Sequence, residues 1–374
     1  MNVLQLTVHF SPNIGGVETH LDDLVRGLSE RKINVTVLTY QPLSTTVNAP
    51  FFEKRKRVQI IRIPWIKGQF YKLVNKPLLE FLYLFPGLFL VAPFIISQKK
   101  IDVIHSHGLV ASAVGIFWAK IFHKRIVVST HSLYHFPKTG IYRTFVRFLL
   151  SKADVCLCLS KKSVDELVDL GINPKKITQF VYWIDTKLFY PLKTNNLKKQ
   201  FHLSTYFVLL FVGRLVEEKG ISVLVKSIKQ VKGKSILLIA GDGPLRDEVA
   251  IEAQKSDKIR FVGKLTGEEL VKYYNLADVL IIPSIHDEGF GRVILESLAS
   301  GTPVIGSDRG SIPEAIDSSV GRLVKVTALN LAKEIAYLKN HPDVLKKLRQ
   351  NTRKFALKKY SEKNIQTIIN AYDA

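Results

Sequence analysis

Cysteine is almost absent from this sequence, which has two cysteines among 374 residues. Two cysteines cannot build the disulfide framework of a small secreted domain or complete a cysteine-only zinc site. Cys156 and Cys158 alternate within an apolar run, so we expect them on one face of a buried strand. Met1 to Val8 has no cationic segment and no small-residue cleavage site, and it predicts a strand rather than a secretory signal. We therefore expect the protein to stay in the cytoplasm.

Acidic residues are also scarce, because 32 Asp and Glu stand against 54 Lys and Arg. The first 190 residues hold 25 Lys and Arg against 12 Asp and Glu, which is +13 of the net charge of +22. This excess predicts an anionic partner, either nucleic acid or an anionic membrane surface. The sequence lacks zinc-ligand spacing and any recognised nucleic-acid motif, so we expect no nucleic acid. A basic nucleic-acid-binding protein is the rival hypothesis, and it would bind duplex DNA tightly and salt-sensitively.

The length predicts two domains, and an apolar fraction of 47% suffices for two cores. A polar, basic stretch over residues 191–200 is typical of a linker. We therefore predict a first domain over 1–190 and a second over 191–360.

The stretch from Pro283 to Pro313 carries the densest local signal. An apolar run before it predicts a buried strand, and a loop with Glu288, Gly289 and Gly291 follows. Apolar residues then recur at helical spacing until Gly301, and a second apolar run comes next. Strand, glycine loop, helix and strand form one βαβ unit, and doubly wound sheets bind ligands at the carboxyl ends of such strands.

Two carboxylates mark this unit, Glu288 at the start of the predicted helix and Glu296 eight residues later. If the whole segment is helical, they lie about 12 Å apart along the axis. Two carboxylates that flank one glycosidic bond lie about 5 to 9.5 Å apart, so this pair instead suits two ends of one extended ligand.

The string from Glu288 to Glu296, with its Gly-Phe-Gly and the later Gly-Thr-Pro-Val, resembles the E-x7-E element of retaining glycosyltransferases of family 4. The resemblance implies an α/β protein of the GT-B fold, with two Rossmann-like doubly wound domains that face each other across a cleft. It also implies a C-terminal helix, over 361–374, that crosses back to the first domain. The implied reaction moves a sugar from a UDP-, GDP- or ADP-sugar to an acceptor hydroxyl with retention of configuration.

The resemblance also assigns donor-binding roles to matching positions. Glu288 would lie beside the donor sugar, and Glu296 would bind the ribose hydroxyls. Arg214 and Lys219, in a string that matches the family nearly throughout, would hold the diphosphate leaving group; a guanidinium fork and an ammonium suit that task. Backbone groups elsewhere would complete the donor site, at Gly15, Gly16, Gly263, Leu265, Gly289, Phe290 and Gly291.

Histidines follow two predicted strands of the first domain. His131 matches a family histidine that lies beside the donor sugar, so we expect it in the catalytic site. His105 and His107 match a family string as well, and we expect them to be loop residues without a direct catalytic role. The family's usual Pro-Asn-Gly-Val-Asp is replaced here by residues 181–185, Val-Tyr-Trp-Ile-Asp. This departure bears on how the acceptor binds or on how the two domains meet.

An apolar run from Phe81 to Ile96 approaches the length of a membrane span. Predicted strands of one sheet flank it, so a span would place them on opposite sides of the bilayer. Pro86, Gly87 and Pro93 predict a break, which leaves a buried helix pair or a membrane-facing hairpin. A basic, aromatic helix over 138–152 suits a membrane surface. We therefore expect a peripheral protein on the cytoplasmic face of the membrane.

The expected function is a retaining glycosyltransferase whose acceptor is a sugar or a lipid-linked glycan of the cell envelope. No Asp-x-Asp cluster stands out in the sequence, so we predict no metal and no cofactor. The alternative is a GT-B protein that binds a nucleotide sugar without transferring it.

Overall fold

Two α/β units make up the computed structural model, which describes residues 1–13, 15–43, 47–66, 73, 76–192 and 194–373. The first unit comprises residues 1–182 and 363–373, and the second comprises Trp183–Glu362. The sequence placed the boundary after residue 190, whereas contacts group residues 183–190 with the second unit.

The first unit is built on one eight-stranded sheet in the order β3-β4-β2-β1-β5-β6-β7-β8. Only the edge pair β3–β4 is antiparallel, and the other neighbours are parallel. Near-continuous apolar runs in the central strands fit a parallel sheet that is covered on both faces. The strands are β1 (Asn2–Thr7), β2 (Asn34–Tyr40), β3 (Phe52–Arg55), β4 (Val58–Ile63), β5 (Val103–His107), β6 (Arg125–Thr130), β7 (Val155–Cys158) and β8 (Ile177–Gln179).

Helices cover this sheet, and Cys156 and Cys158 both lie in its hydrophobic core. Within the described residues, these helices lie between the strands: α1 (Gly16–Glu30), α2 (Pro77–Gln98), α3 (Leu109–Ile121), α4 (Ile141–Ser151) and α5 (Lys161–Leu170).

The predicted break in the apolar run is wrong, because α2 continues through Pro86 and Pro93 as one helix of 22 residues. A proline inside a helix leaves the carbonyl four residues earlier without its usual donor. For Pro93 that carbonyl is Phe89 O, and the Trp118 indole N–H donates to it at 2.9 Å. A side chain from α3 thus replaces the lost backbone bond.

A side chain also enters the helix next to Pro86. The Tyr40 hydroxyl at the end of β2 donates to Leu84 O and accepts from Leu88 N at 3.0 Å, so it is inserted between two groups that would otherwise bond directly. The Trp65 indole also donates to Tyr83 O at 2.9 Å. Local sequence rules cannot foresee these donors, since they come from other elements.

The second unit contains a six-stranded sheet in the order β11-β10-β9-β12-β13-β14, in which all neighbours are parallel. Its strands are β9 (Phe207–Arg214), β10 (Ser235–Asp242), β11 (Ile259–Gly263), β12 (Val279–Ile282), β13 (Val304–Ser307) and β14 (Gly321–Val324). Its helices are α6 (Thr194–Gln200), α7 (Ile221–Gln230), α8 (Arg246–Gln254), α9 (Gly267–Leu276), α10 (Arg292–Ala299), α11 (Ile312–Ala315), α12 (Ala328–Asn340) and α13 (Pro342–Lys359).

Two further elements bear on the domain predictions. The stretch 191–200, predicted as a linker, forms helix α6 over most of its length, while residue 193 lies outside the described residues. The last helix, α14 (Ile365–Asp373), belongs to the first unit. There Arg125 Nε donates to Ala371 O at 2.8 Å, which fastens α14 to the start of β6.

Candidate active site

Two neighbouring strands of the second unit, β9 and β12, bring the strongest candidate residues together. The turn after β9 contains Glu217–Lys219, and Ile285 N donates to Glu218 O at 3.0 Å. Gly220 has φ +69°, and a Cβ there would lie 1.9 Å from Pro283 O, so only glycine permits this approach. The loops after β9 and β12 are therefore packed against each other.

Lys219 and Glu288 form an ion pair across these two loops, with Nζ and Oε1 2.8 Å apart. Both side chains are largely shielded, and the Ser284 hydroxyl also donates to Glu288 Oε1. The sequence assigned these residues to different parts of the donor. The structure instead pairs the two assigned residues with each other.

A second contact fixes the Glu288 loop from the side of β13. Ser311 N donates to Glu288 O at 3.0 Å, and Gly310 N donates to Asp287 Oδ1 at 3.1 Å. Gly310 has φ +57°, and a Cβ there would meet Glu288 N at 2.5 Å. The loop that carries Glu288 is thus held from both neighbouring strand ends.

Helix α10 begins at Arg292, after Gly291 with φ +73°, so Glu288 lies in the loop and outside the helix. The predicted spacing of about 12 Å assumed a helix throughout. That assumption is wrong, because the positive φ of Gly291 changes the direction of the backbone before the helix starts.

Glu296 lies on α10 with its side chain 10% exposed. Its Oε2 accepts from the Tyr274 hydroxyl at 2.8 Å, and its Oε1 accepts from Arg292 Nε at 3.3 Å. Burial, and then the neighbouring Glu296, raise the pKa of Tyr274 well above its usual value, so this hydroxyl stays protonated and donates. Nothing in the sequence indicated Tyr274, which comes from α9.

The remaining donor-site positions of the second unit lie at strand ends but differ in exposure. Arg214 ends β9, is exposed, and forms no ion pair within the described ranges. Gly263 ends β11 with open space around it, and Leu265 follows two residues later, half-buried. Phe290 is buried, with its ring centre 5.9 Å from that of Tyr360.

Gly15 and Gly16 lie at the start of α1 in the first unit, where backbone N–H groups favour an anion. Ile14 lies outside the described residues. A Cβ at Gly15 would be 2.3 Å from Glu18 Oε2, so the Glu18 carboxylate lies over this helix terminus. The sequence did not single out Glu18, although an acidic residue in the first helical turn is common.

His131 follows β6 and is only 8% exposed. Its Nδ1 lies 2.9 Å from the Tyr182 hydroxyl, and its Nε2 lies 2.9 Å from His107 Nδ1. Burial lowers the pKa of His131 to about 4. The expectation that His105 and His107 are loop residues is wrong, since both are buried in β5.

Among the residues that the structure describes, no group of three or more His, Cys, Asp and Glu is arranged to hold a metal ion.

Comparison with known proteins agrees with this architecture in both units. Residues 14–188 match the model of Glycosyltransferase Family 4, and residues 193–355 match that of Glycosyl transferases group 1. An uncharacterised glycosyltransferase of Methanocaldococcus jannaschii is 28% identical over 86% of this chain and 84% of its own length. A D-inositol 3-phosphate glycosyltransferase of Corynebacterium diphtheriae is 26% identical over 87% of this chain and 83% of its own.

Among solved structures, Anabaena HepE in complex with UDP superimposes with a TM-score of 0.81 at 19% identity, over the full length of both chains. This likeness establishes the fold, which is GT-B.

Proposed function

The chain belongs to the glycosyltransferases of the family 4 type, and on that premise we propose that it transfers a sugar from a nucleotide-diphosphate donor to an acceptor hydroxyl, with retention of configuration and without a metal. The observation that carries the proposal is the Lys219–Glu288 pair, held at the carboxyl ends of β9 and β12. Ligands of doubly wound sheets bind at such ends. That the relative HepE was solved with UDP supports a nucleotide-sugar donor.

In the proposed reaction, the cations after β9 stabilise the leaving group. When the glycosidic bond to a nucleoside diphosphate breaks, negative charge grows on the diphosphate, and preorganised cations stabilise that charge. Arg214 is exposed and unpaired within the described residues, so it can bind phosphate without losing another partner. Lys219 is already paired with Glu288, and a bound diphosphate would share its charge.

Glu288 is proposed to contact the donor sugar. Its carboxylate is held by Lys219 and the Ser284 hydroxyl, and its backbone is bonded to Ser311. These contacts fix the carboxylate in advance, so little freedom is lost when substrate binds.

The proposal is tested by incubating the protein with UDP-, GDP- and ADP-sugars and simple glycoside or lipid-linked acceptors, and by measuring released nucleoside diphosphate. The anomeric configuration of the product is read from its proton NMR coupling. Release with a retained configuration is expected. Binding of a nucleotide sugar without any release would favour the inactive binding protein, and inversion would contradict the proposed mechanism.

Glu296 is proposed to bind the ribose hydroxyls of the donor. Glu296→Gln should weaken donor binding by about 1.5 to 3 kcal/mol, the usual contribution of a hydrogen bond to a charged group. Glutamine is preferred to alanine because alanine would leave the buried Tyr274 hydroxyl without this acceptor. Titration calorimetry with the nucleotide sugar measures the change.

Tyr274→Phe is the matched control, since it removes the internal hydrogen bond that Glu296→Gln could weaken but keeps the carboxylate. It should change donor affinity much less than Glu296→Gln. Equal affinities of wild type and Glu296→Gln would remove Glu296 from the donor site.

An apolar surface on the first unit supports a membrane-bound acceptor. Helix α2, from Leu78, is long and apolar enough to cross a membrane by length and composition, but it connects β4 to β5 of one sheet. Ring contacts join α2 to α3 (Phe89–Phe117, 5.1 Å) and to α4 (Phe81–Phe145, 6.5 Å). The surface consists of side chains that are 47 to 90% exposed: Leu82, Leu90, Phe94, Phe117, Ile121, Ile141, Phe145 and Phe148.

This apolar surface is proposed to dock on the cytoplasmic face of an anionic membrane, where the acceptor would be lipid-linked. Exposed cations border it, among them Lys138, Arg147 and Lys152, whose ammonium lies 5.0 Å from the Phe148 ring centre. Each such cation contributes about 1 kcal/mol near an anionic surface, and salt screens that part. Insertion of the apolar side chains adds a contribution to the binding free energy that salt does not remove.

Cosedimentation should therefore show binding to anionic vesicles that weakens in high salt without disappearing. Replacing both Leu90 and Phe94 by glutamine should remove the salt-resistant part. Ile251→Gln, at a side chain 49% exposed on the second unit, is the matched control and should bind like wild type. Equal, negligible binding to neutral and anionic vesicles would favour a soluble acceptor.

A further inference from the structure

The ring of His131 is one member of a buried hydrogen-bond network that runs through the first unit. From His131 it continues through His107 to Gln5, whose Oε1 is 2.6 Å from His107 Nε2. The members in order are Tyr182, His131, His107, Gln5, Tyr372, His105 and Ser129. We refer to these seven residues as the histidine network.

The orientation of the Gln5 amide determines the direction of the bonds between Gln5 and Tyr182. Its Nε2 donates to the Tyr372 hydroxyl at 3.0 Å, and its Oε1 can only accept, so His107 carries a proton on Nε2. A neutral imidazole has one proton, so His107 Nδ1 must accept. Within the described residues its partner is His131 Nε2, which therefore carries the proton of His131.

The same reasoning fixes the end of the network at Tyr182. His131 Nδ1 has no proton and accepts from the Tyr182 hydroxyl. On the other side of Gln5, the Tyr372 hydroxyl accepts from Gln5 and lies 2.8 Å from His105 Nδ1, and His105 Nε2 lies 2.7 Å from Ser129 Oγ. Every proton between Gln5 and Tyr182 thus has an acceptor.

The histidines of the network are neutral. Burial, and then neighbouring histidines, hold the pKa values of His105 and His107 well below the usual range. A proton added to either ring would place a charge away from water. On His107 it would also turn Nδ1 into a donor that faces the Nε2–H donor of His131.

We propose that Tyr182 is a positioning residue that donates to Nδ1 of His131, supports the tautomer with the proton on Nε2 and fixes the plane of the ring. Tyr182 is 3% exposed, and its ring stacks on His20 at 4.1 Å between centres. Tyr182 belongs to the stretch that departs from the family string, so this arrangement is a property of the present sequence. The link to catalysis rests on the proposed function, in which His131 lies beside the donor sugar.

One chemical consequence concerns the role of His131. Both ring nitrogens are engaged, Nδ1 by Tyr182 and Nε2 by His107. While these bonds persist, the ring has no nitrogen with which to take a proton from the acceptor hydroxyl. His131 would therefore be a neutral ring of fixed orientation beside the sugar, and the bond from Tyr182 would help to hold that orientation.

Nitrogen-15 NMR of the histidine rings in the full-length protein, without any substrate, tests the proposal. Protonated and unprotonated ring nitrogens have well-separated shifts, and the signals of His131 are assigned by their loss in His131→Asn. We expect Nε2 of His131 to be protonated and Nδ1 unprotonated in the wild type. Tyr182→Phe, which removes one oxygen atom, should shift the Nδ1 signal because that nitrogen loses its donor, while Nε2 stays protonated and bonded to His107.

Tyr372→Phe is the matched control, since it removes a hydroxyl on the other side of Gln5 in the network. It should alter the His105 signals and leave those of His131 unchanged. A wild-type His131 with its proton on Nδ1, or unchanged His131 signals in Tyr182→Phe, would overturn the proposal. Neither result depends on activity, so the proposal and the proposed function can fail separately.

A kinetic measurement tests the link to catalysis. Tyr182→Phe should lower kcat by about three- to tenfold, as expected for one hydrogen bond, and leave the KM for the donor nearly unchanged. An NMR change with an unaltered kcat would overturn the positioning role while leaving the tautomer assignment intact.

Discussion

Arg214→Ala and Lys219→Ala should each lower turnover by roughly two orders of magnitude, with much smaller effects on acceptor binding. Both cations are assigned to the leaving diphosphate, whose negative charge grows as the glycosidic bond breaks. An interaction that strengthens in the transition state affects kcat more than binding. Removing one preorganised group that stabilises such charge typically costs about 10² to 10³ in rate.

The two variants should differ in one respect that the structure explains. Arg214 has no ion pair within the described residues, whereas Lys219 also holds Glu288 at 2.8 Å. Lys219→Ala should therefore disturb the Glu288 loop as well and lose more activity. Lys226→Ala, which removes an exposed lysine from α7, is the matched control and should keep wild-type turnover. Near-normal turnover in either test variant would mean that its residue is misassigned.

Mild acid should destabilise the first unit selectively. Burial lowers the pKa of His131 from 6.5 to about 4. As the pH falls, the unfolded chain therefore binds the proton before the folded chain does. The free energy of unfolding is highest above about pH 6.5 and declines as the pH falls toward 4. At pH 5 the loss is about 2 kcal/mol for this one histidine. Burial also lowers the pKa values of His9, His105 and His107, so their protonation destabilises the first unit in the same direction.

The second unit provides an internal control, because the four histidines lie only in the first. Hydrogen exchange at pH 7 and pH 5, corrected for the intrinsic rates, should show lost protection in β1, β5 and β6. Strands β9, β10 and β12 should keep theirs. Equal loss in both units, or none in the first, would contradict neutral buried histidines as the cause.

The sequence predicted the βαβ unit around Glu288 well because its information is local. Apolar runs, glycines at the turns and a helical repeat each act over a few residues, and α10 begins at Arg292, where that repeat begins. The family resemblance then supplied the fold class, which the two family models confirm. The domain boundary was less accessible, since contacts and not composition place residues 183–190 in the second unit.

Partners that come from distant elements could not be predicted. The Lys219–Glu288 pair depends on β9 and β12 being neighbours in the sheet, and Glu296 meets Tyr274 from a different helix. The predicted break at Pro93 failed because the Trp118 side chain replaced the lost backbone bond. Local propensity describes what a segment does alone, whereas these features depend on what packs against it.

The roles given to His131 and Glu288 remain predictions, as do the other donor contacts. Their common basis is that a nucleotide sugar binds at the carboxyl ends of β9 and β12. Hydrogen exchange with and without the nucleotide sugar that best stabilises the protein against heat tests that basis directly. The account predicts new protection in two segments of the second unit, Gly213 to Gly220 and Pro283 to Glu296. No stabilising nucleotide sugar, or protection only outside these segments, would contradict it.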